Sequence, residues 1–317
     1  MSGPVQDRDQ SSENESGDRI EVRQGRVADV GGMGVARVLP TKGRRTIGGW
    51  CFVDLMTPGD IVRPPPLEIG PHPHIGLATV TWLFEGTALH GDSLGTEQLI
   101  RPGELNLMTS GRGIAHAELG VHPTGLGSRV GGISGAQMWI AQPESTRHGA
   151  SRFQHLADLP RIDLGSGEAH LMVGSLAGAG SAAKVDTAVV GLDVTMRPSV
   201  EIPAVQSFEY GVVPIDRSVK VGDTIVDSGS IAIIASGLDS IRLSVDGGHG
   251  RALVLGGEPL GERVQTWWNF VARTKDEITE AWHDWQDHNE DRFGPVPSHL
   301  ARIDAPTPMW IRNPEAT

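Results

Sequence analysis

The 317-residue sequence predicts a mainly β fold: two β-barrels in tandem, closed by one C-terminal helix. Three observations predict it. The 42 glycines and 21 prolines recur every several residues through most of the chain, the punctuation of short strands joined by turns. EQLIRPGELNLMTSG in the first half and DTIVDSGSIAIIASG in the second share a strand, a glycine turn, a second strand and a terminal Ser-Gly, which is a weak internal repeat and suggests a duplicated barrel. RTKDEITEAWHDWQDH, near the C-terminus, combines helical spacing with a helix start signal. The length points the same way, at roughly one domain per 150 residues.

Taken in order, residues 1–19 (MSGPVQDRDQSSENESGDR) are polar and acidic. Ordering them would cost entropy without compensating burial, so a disordered tail is expected. In residues 20–160 the turns VGGMG, TPGD, RPPP, RPGE and TSGRG separate strand segments, notably Ala78–Phe84, Glu104–Met108 and Gln137–Ala141, and form the first barrel. Residues 161–265 repeat this grammar without its histidine pairs. There VVGLDVTM puts Val190, Leu192, Val194 and Met196 on one strand face, and this is the second barrel. Residues 266–317 add a helix and tail that pack on the barrels. Thr274 and Glu277 form a capping box, and Ile278, Trp282 and Trp285 make the buried stripe, flanked by His283 and His288 as surface or packing residues.

A formal net charge of −12 repels a phosphate backbone and leaves no basic stripe, which excludes direct nucleic-acid binding. Cys51 is the sole cysteine, so no intramolecular disulfide forms. No stretch reaches the ~20 apolar residues of a membrane span, and no basic-then-apolar leader opens the chain. A soluble, cytoplasmic protein without membrane contact is expected.

The chemistry concentrates in LEIGPHPHIGLATVTWLFEG and TSGRGIAHAELG. His72 and His74, two apart on an extended strand, leave the same face, and His116 and Glu118 repeat that spacing. Two such strands side by side inside a barrel converge on three imidazoles and one carboxylate. This donor set suits Fe, Mn, Co, Ni, Cu or Zn and, without thiolates, is not a structural zinc site. Four protein ligands on an octahedral ion leave two positions for water, dioxygen or a chelating substrate. His170 and His249 in the second half have no partner at ligand spacing. Trp82, Phe84 and Met108 read as barrel core, with an aromatic-binding cavity as the alternative. His90 is not at ligand spacing from the other histidines and reads as a structural partner of Asp92. Arg112 reads as the anchor of a tight turn, with a substrate contact as the alternative, and Gly103, Gly111 and Gly113 are expected to supply backbone conformations closed to other residues.

GPHPHIGLATVTWLFEGTALHGDSLGTEQLIRPGELNLMTSGRGIAHAE resembles the pirin family of the cupin superfamily in its ordered His-Pro-His, Glu-Gly, Asp-Ser-Leu-Gly, Pro-Gly-Glu, Met-Thr-Ser-Gly-Arg-Gly and His-Ala-Glu motifs. The resemblance continues through AQMWIAQP, LVLGGEPLGE and FVARTKDEI. It implies a bicupin with a metal, commonly iron, in the N-terminal barrel only. By position the ligands are His72, His74, His116 and Glu118. Many pirins read Arg-Gly-Phe-Glu-Thr where this chain reads Ile75-Gly76-Leu77-Ala78-Thr79, a change expected to alter the metal's surroundings and the charge at the barrel mouth. The activity implied is that of a quercetin 2,3-dioxygenase, with Fe(II) as the expected ion and a small aromatic substrate and O2 as partners. A flavonol would chelate through its 3-hydroxyl and 4-keto oxygens, and Glu118 would act as the catalytic base. The alternative is a non-enzymatic, metal-dependent regulatory protein that docks on a transcription regulator or a metabolic enzyme.

Overall fold

The computed structural model describes residues 20–30, 32–56, 67–121 and 132–312, so the expected tail at 1–19 lies outside the described residues. Within them the chain builds four large antiparallel sheets, two in each half. In the first half the seven-stranded sheet runs, in spatial order, Arg152–Leu156, Leu105–Thr109, Leu77–Glu85, Ser134–Ala141, Trp50–Met56, Met33–Leu39 and Arg26–Val30. Its four-stranded partner runs Glu68–His74, Ile114–Gly120, Ala88–Asp92 and Glu97–Ile100. The second half repeats this order as Ile20–Gln24, Ser230–Ile234, Glu209–Pro214, Gly250–Gly257, Val189–Met196, Gly167–Val173 and Arg161–Asp163, with Ser199–Pro203, Ser240–Ser244, Val219–Val221 and Thr224–Val226. The two repeat segments read from the sequence occupy equivalent strands of the two halves. Each barrel is a pair of packed sheets rather than one closed ring of hydrogen bonds.

One exchange is absent from the linear reading. Ile20–Gln24, which opens the chain, pairs with Ser230–Ile234 and so completes the edge of the second half's sheet.

Period-two alternation explains how the halves join. Val190, Leu192, Val194 and Met196 point into the second half's own core, as the alternation predicted. Their neighbour Val189 joins Leu105, Leu107, Met138, Leu253 and Leu255 in a core shared between the two large sheets. Each fully buried leucine there contributes about 1.5–3 kcal/mol, so the halves are held firmly against each other. Trp82 and Phe84 also belong to this joint, which settles them as packing residues. Trp82 Nε1 donates to Asp193 Oδ2 across the joint at 2.8 Å, and Arg251 braces the same carboxylate while stacking on Phe84.

The helix Lys275–Gln286 begins as the sequence predicts, with Glu277 N donating to Thr274 Oγ1 at 3.2 Å. The return bond differs from a standard capping box: Glu277 Oε2 accepts from Arg273 N, one residue earlier, because the same carboxylate is gripped by the buried Arg147 guanidinium. Ile278 and Trp285 are buried against Ile75, Phe270 and Phe293, Trp282 packs at their margin, and His283 is exposed.

Ile75 is buried beneath the C-terminal hairpin and helix, and Ala78 lies in the joint between the halves. Neither lines the cavity beside the histidines, and both serve packing in this chain.

Candidate metal centre

Glu68–His74 and Ile114–Gly120 are antiparallel neighbours, with His116 directly opposite His72 and an irregularity in register between His116 and Glu118. Both strands have their inward face buried, and this brings His72, His74 and His116 together, whereas Glu118, past the irregularity, lines the same cavity but groups with His116 and His90. His72, His74 and His116 gather with one nitrogen of each within 4.8 Å of the others, all buried. His72 Nδ1 donates to Gly70 O at 2.8 Å and His74 Nδ1 to Asn269 O at 3.1 Å. Each bond commits the proton to Nδ1 and turns an Nε2 lone pair inward. His74 Nε2 then stands 3.0 Å from His116 Nε2. Two nitrogens bound at about 2.1 Å on adjacent corners of an octahedral ion are separated by about 3.0 Å, so the donors fit a transition metal.

Burial keeps the imidazoles neutral. It lowers His72 to about 4 and holds His74 and His116 well below their usual value, with the neighbouring histidines adding to the effect. A neutral ring is the form that binds metal. Burial raises the Glu118 carboxyl, against the opposing influence of His90 and of Thr81. The Thr81 hydroxyl lies 3.0 Å from Gln137 Oε1 and 3.4 Å from Glu118 Oε1, so its single proton mainly serves Gln137. Glu118 keeps lone pairs to spare.

These groups open on a cavity of about 290 Å³, near the lower end of the range for small-molecule sites. One wall is Trp139, stacked on Phe52 at 3.9 Å and edge-on to His74. Arg37 lies over the outer ring of that stack and is held by Asp54 through bonds of 2.8 and 2.7 Å. Trp268 and Asn269, from the C-terminal hairpin turn, complete the rim.

Two family models match the chain, Pirin over residues 32–140 and the Pirin C-terminal cupin domain over residues 191–293. The chain belongs to the pirin family. A Pseudomonas aeruginosa pirin relative named "Putative quercetin 2,3-dioxygenase" is 38% identical over 289 residues, covering 90% of this chain and 89% of its own. A pirin-like protein of Caulobacter vibrioides is 34% identical over 85% of this chain and 96% of its own. The crystal structure of a quercetin 2,3-dioxygenase from Acinetobacter baumannii matches this pirin with a TM-score of 0.84 at 38% identity, over 91% of this chain and 95% of its own.

Several parts of the site lie outside the expected ligand set. His90, expected to stand apart from the other histidines, does bond Asp92, yet it also lies beside His116 and Glu118 as part of a second buried donor group. A signal was available, because His90 and Asp92 repeat the i, i+2 spacing of the other two pairs. No local signal marks Arg37, Asp54, Phe52 or Trp139, which meet only through sheet register. Arg112 holds the C-terminal segment as well as its turn, donating to Asp291 O and accepting from Arg292. Gly103 and Gly111 have positive φ, whereas Gly113 leaves room for Arg292, whose Cγ would lie 2.8 Å from an added Cβ. In the second half the strands equivalent to the histidine-bearing pair turn Val200, Ile202, Ile241 and Leu243 inward, and aliphatic side chains fill that interior.

Proposed function

We propose that this pirin is a metal-dependent dioxygenase, holding one iron ion at His72, His74, His116 and Glu118 and cleaving a flavonol-like aromatic such as quercetin by insertion of dioxygen. The observation that carries the reading is the 3.0 Å approach of His74 Nε2, whose Nδ1 proton is committed to Asn269 O, to His116 Nε2 within a buried group of three imidazoles. The Nε2 lone pairs that His72 and His74 turn into this buried group call for a cation.

A bound transition ion would supply a Lewis acid and a redox centre for chemistry with dioxygen. The chain's own residues do the rest. Phe52 and Trp139 offer a flat apolar wall to an aromatic ring. Of the three carboxylates lining the cavity, Asp54 is engaged by Arg37 and Asp29 is exposed and takes Gly32 N, so Glu118, beside His116, is the one placed to take a hydroxyl proton from the substrate. Its burial, which favours the protonated form, strengthens it as a base. The names of the Pseudomonas and Acinetobacter relatives support the substrate class.

Anaerobic purification with metal analysis, followed by oxygen uptake on adding quercetin, tests the proposal. The expected result is on the order of one iron per chain, uptake by the wild type, none by His72→Ala, and a Glu118→Gln variant that keeps much of its metal and loses turnover. Unaltered turnover in Glu118→Gln removes the base assignment. Metal without uptake by the wild type overturns the flavonol reading and moves weight to a protein-docking role. No metal in either protein overturns the centre itself.

A further inference from the structure

Beyond the four expected ligands, a chain of hydrogen bonds runs outward from His116 through two residues that make no contact with the cavity. Asp92 is fully buried, with Oδ1 accepting from Leu94 N at 2.9 Å and from Thr96 N at 3.1 Å. Its Oδ2 faces His90 Nε2 at 3.1 Å, and His90 Nδ1 faces His116 Nδ1 at 3.4 Å. The His90 ring is clamped by stacking on Phe153 at 4.5 Å. Every link is buried in the protein, where an unpaired polar group is costly.

We infer that Asp92 and His90 form a positioning relay that fixes the tautomer of His116, so that its Nε2 lone pair and not an N–H faces the ion. The inference rests on the metal reading above. A carboxylate already taking two backbone N–H groups can only accept, so His90 carries its proton on Nε2. With His116 holding the ion through Nε2, its proton stands on Nδ1, and His90 Nδ1, 3.4 Å away, is the acceptor placed to receive it. His116 differs in this from His72 and His74, whose rings are set by backbone carbonyls that cannot change role. Its orientation depends on a side-chain charge two residues removed. Neither His90 nor Asp92 is a catalytic residue, since neither touches the cavity.

Asp92→Asn separates this role from a purely structural one. The amide oxygen can still accept from Leu94 and Thr96, so the turn is kept. The amide N–H2 opposite His90 Nε2 forces His90 into the other tautomer, which sets its Nδ1–H against that of His116. The expected result is an unchanged melting temperature for the metal-free protein and Ni(II) binding weaker by about 10–100-fold. Nitrogen-15 histidine NMR of the metal-free wild type is expected to show His116 protonated at Nδ1, and this measurement stands even if the variant fails to fold. Ni(II) affinity unchanged in Asp92→Asn, or His116 protonated at Nε2 in the wild type, overturns the relay and leaves the proposed function intact. No Ni(II) binding by the wild type would instead count against the metal centre, and the relay would fall with it.

Discussion

Trp82 and Asp193 belong to different halves of the chain and meet through a buried hydrogen bond of 2.8 Å from the indole N–H to a carboxylate oxygen. Asp193 is 1% exposed at its side chain and also anchors Arg251, itself 28% exposed. Asp193→Ala strands both partners at the joint. A loss of about 3 kcal/mol is expected, the lower end for breaking a buried charge pair because Arg251 reaches some solvent. Urea unfolding measures it, and a loss under about 1 kcal/mol would show that the shared apolar core alone secures the joint.

Gly76 follows the histidine strand with φ of +67°, and a Cβ there would lie 2.1 Å from Val271 O. The close approach lets the C-terminal hairpin dock on Ile75, with Val271 N donating to Ile75 O at 3.1 Å. Gly76→Ala is expected to cost about 1–3 kcal/mol through backbone strain and to loosen the hairpin that carries Asn269, the acceptor for His74. Thermal melting reads the first effect. Faster amide exchange at Val271 reads the second, and wild-type values for both would refute the close fit.

Asp186 couples the halves on their flank, where Arg152 bonds it at 2.6 Å and Gln142 at 3.0 Å. Burial works against its ionisation, but these bonds outweigh burial and hold the carboxyl below its usual 3.8. A depressed folded-state value means that the stabilisation is fully present above pH 3.8 and is lost as pH falls through the folded value. The stability gap between wild type and Asp186→Asn should therefore be widest near neutrality and shrink in acid. Urea midpoints at about pH 6 and about pH 3 compare the two, and a gap independent of pH would contradict the assignment.

The sequence by itself determined the family, the duplicated β architecture, the start of the helix and three of the gathered imidazoles. Each follows from local spacing. A period of two fixes which side of a strand His72, His74 and His116 leave, and Thr274 followed by Glu277 marks a helix start wherever it occurs. The tertiary structure alone decided what those residues meet. His90 touches His116 because Ala88–Asp92 lies on the far side of Ile114–Gly120 from the His-Pro-His strand. Ile75 is apolar because a hairpin and helix from nearly two hundred residues later cover it. Trp82 finds Asp193, and the opening strand joins the second half, because the two large sheets pack back to back. Strand order, register and the joining of sheets bring together residues far apart in the chain, and no spacing along the sequence encodes those distances.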